Sequence, residues 1–68
     1  MTKQETEQSV NQYIADGFDK IDFELTDNRV ISFMKSKHNC VFNKSAVWIG
    51  GDGLIISIDY SVIRYIAV

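Results

Sequence analysis

The sequence predicts a mainly β fold with one N-terminal helix, its five short strands forming a small, strongly bent sheet that partly closes into a barrel. Three observations point there. From Lys20 onward apolar residues recur with a period of two, as they do in strands. Before Lys20 a narrow apolar stripe recurs at helical spacing. The tail, Leu54 to Val68, is rich in Leu, Ile, Val and Tyr, has no proline, and carries only Asp59 and Arg64 as charges. A strand this apolar is an aggregation hazard while its edge stays open. Something must pair with it, and in a chain of 68 residues a second subunit is the natural partner.

The helix is expected over about residues 3–16. Thr2 followed by Glu5 fits a capping box, and acids in the first turn suit the helix dipole. Val10, Tyr13 and Ile14 form the stripe, too narrow for a helix that stands alone. Gly17 occupies the place where a helix end needs a left-handed residue, and Phe18 supplies the apolar contact that follows.

Strands are expected at about residues 20–26, 29–35, 40–49, 54–59 and 62–67. Ile21, Phe23 and Leu25 alternate with Asp22 and Glu24 in the first. Asp27-Asn28 is a hairpin signal, because Asn tolerates positive φ. The second strand runs through Val30, Ile31, Ser32, Phe33 and Met34, followed by a polar loop, Ser36 to Asn39. Cys40-Val41-Phe42 and Ala46-Val47-Trp48-Ile49 make the third, with Trp48 expected in the core. Gly50-Gly51-Asp52-Gly53 is the strongest turn in the chain. No helix with Lys-Ser/Thr follows it, so it reads as a hairpin and not a phosphate loop. Asp59-Tyr60-Ser61 divides the last two strands.

Size and composition narrow the field. One domain of this length lies near the limit for an unaided core. A single cysteine, Cys40, allows no intrachain disulfide, and no Cys/His cluster suggests a structural metal. Assembly is the remaining common device for stabilising so small a fold. No apolar run approaches the roughly 18 residues that span a bilayer, and the polar N-terminus is unlike a signal peptide. A cytoplasmic protein without membrane contact is expected. Net charge is −2, but residues 1–27 hold seven acids against Lys3 and Lys20, a net −5, while residues 28–68 hold a net +3. An anionic partner would meet less repulsion on the second half.

The order of elements and several residues at fixed spacing resemble the Sm/LSm/Hfq-like family, whose fold is an SH3-type small barrel. Asn39-Cys40-Val41-Phe42-Asn43 stands at the distance of the family's first-motif loop, with Asn39 in its Asp position and Asn43 matching its Asn. Ile58, Ile63, Arg64, Tyr65 and Ile66 match the apolar-rich second motif. Phe33 replaces the Gly usual at the bend of the second strand, and Asp59-Tyr60 replaces an Arg-Gly. The resemblance covers roughly residues 3–68 and suits a divergent member, as a phage or metagenomic relative would be.

The resemblance implies a homo-oligomeric ring of about five to seven subunits closed head-to-tail. The fourth strand of one copy would pair with the fifth of the next, placing Leu54, Ile56, Ile58, Ile63, Tyr65 and Ile66 at the subunit interface. It also implies RNA or single-strand binding near Asn39, Val41, Asn43, Tyr60 and Ser61. Apart from the resemblance, Lys35, Lys37, His38 and Lys44 put four potential cations within ten residues, a patch able to track a phosphate backbone. Relatives stack uridine between an aromatic or His and an Arg, where this chain has Val41 and Asp59. An aliphatic and an anion stack bases poorly and repel phosphate. A nucleic-acid-binding ring with an altered pocket therefore stands beside a structural or protein-interaction ring, and beside a different SH3-like adaptor. His38 has no acid–base partner set and Cys40 no spacing partner, so no enzymatic activity and no cofactor are expected.

Overall fold

The computed structural model describes all residues, Met1–Val68. Helix α1 spans Lys3–Ala15, followed by β1 Lys20–Leu25, β2 Val30–Met34, β3 Asn39–Phe42, β4 Ala46–Gly51 and β5 Leu54–Asp59. A single 3-10 turn, Tyr60–Val62, then leads into β6 Ile63–Ala67. The mainly β character and the N-terminal helix are as the periodicities predict.

The helix ends follow their sequence signals closely. Thr2 accepts the Glu5 N–H at 3.1 Å and Glu5 accepts the Thr2 N–H at 2.8 Å, a reciprocal box that satisfies two donors the helix cannot. At the other end Gly17 takes φ +92°. The Gly17 N–H donates to Ile14 O and the Phe18 N–H to Tyr13 O, the two bonds of a Schellman ending. The rings of Tyr13 and Phe18 meet edge to face at 5.9 Å. Val10 is buried as the stripe requires, and so is Thr6, whose hydroxyl donates to Thr2 O. The helix lies along β6, where the Tyr13 hydroxyl donates to Ile66 O at 3.4 Å.

The strands form two antiparallel three-stranded sheets, ordered β2-β1-β6 and β3-β4-β5. There are thus six strands in place of five, and they do not join into a closed barrel. The expected strand 40–49 is two strands separated by the polar turn Asn43-Lys44-Ser45. Asn43 N–H donates to Ala46 O across this turn, bringing Phe42 opposite Val47 and Val41 opposite Trp48. Asn39 belongs to β3 and not to the preceding loop.

One core joins the two sheets. Ile21, Phe23, Leu25, Phe33, Ile63 and Ile66 come from the first, Val47, Ile49 and Ile58 from the second, with Val10 and Tyr60 completing it. Trp48 is not part of it: it is 56% exposed on the outer face of β4. Glycine matters most at Gly51, where φ is +113° and a Cβ would stand 2.8 Å from Lys37 O. Asp52 and Gly53 both take positive φ at the tip of the β4–β5 hairpin, the requirement of a tight I′ turn.

Candidate functional site

Three surfaces hold the residues singled out in the sequence. The first is the lip between the β3–β4 turn and the 3-10 turn. Asn43 and Ser61 are exposed there, but Tyr60 is buried, with 5% of its surface accessible. Its hydroxyl donates to Asn43 O at 2.7 Å, and its N–H donates to Ser45 O. The ring is therefore part of the core and offers no face on which a base can lie. Burial also pushes its phenol above the ordinary range. Asp59 caps the 3-10 turn by accepting the Ser61 N–H and hydroxyl at 2.9 and 2.8 Å. Those bonds hold its carboxyl below the usual carboxylate value, so an anion stands at this lip at neutral pH.

The second surface is the outer face of β3-β4-β5. Antiparallel register arranges it in rows: Asn39, Gly50 and Ile55, then Val41, Trp48 and Ser57. Val41 is 53% exposed and Ile55 94% exposed. These residues line a shallow groove of about 400 Å³ together with Gly50 and Gly51. Asn39 and Val41 share this face; Asn43, Tyr60 and Ser61 lie at the lip beyond its end. Trp48 and Ile55 were not legible as surface residues, because each lies in a run apolar on both faces and period-two alternation vanishes there. Only the strand register distinguishes Trp48 from its buried neighbours Val47 and Ile49.

The third comprises two strand edges. β5 pairs only with β4, and β6 only with β1, so each has one edge without a strand partner. Of the residues expected at an interface, Ile58, Ile63 and Ile66 point into the core, Leu54 and Ile56 are half-buried, and Tyr65 is exposed. Tyr65 donates its hydroxyl to Glu24 at 3.3 Å.

Lys35, Lys37 and Lys44 are exposed and enter no ion pair. The two ion pairs, Lys20–Asp22 and Arg29–Asp27, both involve the other sheet or its hairpin. His38 serves its own turn: its Nδ1 accepts the Met34 N–H at 2.9 Å, with the ring beside Phe33. Cys40 is half-buried, and burial pushes its thiol up to about 11, which makes it a packing group and a poor nucleophile at neutral pH. No three His, Cys, Asp or Glu side chains are grouped to hold a metal. No helix is long and apolar enough to cross a membrane.

No protein-family model, curated protein or solved structure matches this chain.

Proposed function

We propose that this protein is a self-assembling, Sm-like β module in which β5 of one copy pairs with β6 of the next. The observation that carries this reading is that β5 and β6, the successive strands of the apolar tail, each end a sheet with a single strand partner, as β2 and β3 do on the opposite sides. An open edge with a nearly fully exposed Ile55 is a template for another strand. Because β5 and β6 are different strands, the contact is head-to-tail and closes into a ring when its rotation divides a full turn. About five to seven subunits is the range the family resemblance gives. Charge supports the same arrangement. Residues 1–34 and 60–68, which build the helix and the β2-β1-β6 sheet, carry a net −3, whereas residues 35–59 carry +1. Opposite signs assist a head-to-tail encounter. The lone thiol suits a reducing, cytoplasmic setting.

Amide hydrogen exchange tests this placement. Backbone amides on the free edges of β5 and β6 should become protected as concentration rises, while those of β3 stay unchanged. Equal exchange in β5 at all concentrations would remove the edge pairing.

A second reading, single-stranded nucleic acid as ligand, is favoured by one specific observation. Lys35, Lys37 and Lys44 have no acidic partner and border a face with exposed Asn39. Labelled oligo-U and oligo-A titrated over a salt series would decide it. Affinity that falls with salt supports it, and no binding at low salt removes it.

A further inference from the structure

We propose that the outer face of the β3-β4-β5 sheet is a base-stacking surface for single-stranded nucleic acid, with the Trp48 indole as platform and Lys37 and Lys44 holding phosphates at its two ends. This rests on the second reading above and moves the base contact from the Asn43–Tyr60 lip to the sheet face, leaving only Lys44 at the lip's border to meet a phosphate. The lip is poorly suited: Tyr60 is buried and Asp59 presents an anion.

The sheet face supplies what the lip lacks. Trp48 is the chain's only tryptophan and stands exposed between Val41 and Ser57 on the flanking strands. Gly50, two residues along the same face, has no side chain, so a base plane can lie beside the indole over bare backbone. Val41 and Ile55 border that space with apolar surface, and Asn39 and Ser57 add an amide and a hydroxyl able to bond base edges. Stacking on an aromatic is tolerant of sequence, since every base has a π-face.

Charge selects the occupant. The rows through Gly50 and Trp48 contain no charged residue. The turn holding Lys35 and Lys37 packs against Gly51 at one end of the sheet, and Lys44 lies in the β3–β4 turn at the other. β3, with four residues, separates these ends by roughly 13 Å, room for a short stretch of single strand. Asp52 and Asp59 also stand toward the ends and keep their charge, but the three lysines outnumber the two acids. An anion carrying flat apolar groups fits this pattern better than an apolar peptide, for which the unpaired lysines have no use.

Trp48 fluorescence reads the site directly, beside anisotropy of a labelled oligo-U or oligo-dT that reads binding anywhere. Oligonucleotide should quench Trp48, less so as salt rises. Trp48→Ala should weaken binding by roughly 5- to 150-fold, with Trp48→Phe keeping part of the affinity. Lys37→Gln and Lys44→Gln should each lower the salt slope by about one. Binding by anisotropy with unchanged Trp48 emission and a fully active Trp48→Ala would overturn the site while leaving the ligand class intact. No binding in low salt would overturn both. Trp48 emission that shifts with protein concentration and ignores oligonucleotide would assign the face to a second copy, against the proposal.

Discussion

The Tyr60 hydroxyl donates to the Asn43 carbonyl at 2.7 Å, binding the 3-10 turn before β6 to the β3–β4 turn. The bond joins residues far apart in the chain at the place where the β5 strand leaves one sheet and β6 enters the other.

Tyr60→Phe should lower stability by about 1 kcal/mol, the net worth of a typical hydrogen bond. The ring would keep its place in the core. Urea denaturation monitored by circular dichroism measures this, and a shift in midpoint without a change in slope is the expected form.

Ile55 and Ile63 should separate assembly from folding. Ile63 is 2% exposed, so Ile63→Ala should cost about 2–5 kcal/mol by opening a cavity. Ile55→Lys alters a side chain in solvent and should change monomer stability by no more than about 0.5 kcal/mol. It should nonetheless weaken self-association, which sedimentation velocity over a concentration series would record.

Gly51→Ala should be destabilising by roughly 1–3 kcal/mol, because positive φ and a close carbonyl act together. The added Cβ would stand 2.8 Å from Lys37 O, so either the Lys35–Lys37 turn or the β4–β5 hairpin must move. Gly53→Ala, with nothing within 4 Å of the added carbon, should cost less. Thermal midpoints of the two variants provide the comparison.

Acid should loosen the helix N-terminus. Glu5 is held below its ordinary value of 4.5, chiefly by the Thr2 N–H and then by the Thr2 hydroxyl. A carboxyl with a lowered folded-state pKa contributes stability that is full above the unfolded value and is lost as pH falls through the folded one. Helix content should therefore decline on acidification below about pH 4.5, and Glu5→Ala should flatten that part of the profile. Far-ultraviolet circular dichroism against pH is the measurement.

Cys40 should react slowly with thiol reagents in the native state. Burial, aided by the nearby Glu7 charge, raises its thiol to about 11, against about 8.5 for a free cysteine. Native alkylation at pH 8 should lag well behind that of urea-unfolded protein, followed by mass spectrometry.

Local chemistry was legible where a residue type has few alternatives. Thr2-x-x-Glu5, Gly17-Phe18, Asn28 and Asp52-Gly53 each act where the sequence places them, since caps and tight turns depend on neighbours only. The break at Asn43-Lys44-Ser45 was harder, because apolar runs on both sides mimic one strand. Trp48 and Ile55 were illegible for a related reason: side orientation in an all-apolar run is set by pairing, a long-range property. Tyr60 shows the converse. Its neighbours Asp59 and Ser61 are polar and exposed, yet a hydroxyl that finds Asn43 O lets the ring turn inward.

Sedimentation equilibrium tests self-assembly through the tail most directly. Head-to-tail pairing of β5 with β6 predicts a mass about five to seven times the 7.8 kDa of one chain, falling toward that of one chain in Ile55→Lys. A wild-type protein that stays at 7.8 kDa across the micromolar range would contradict it.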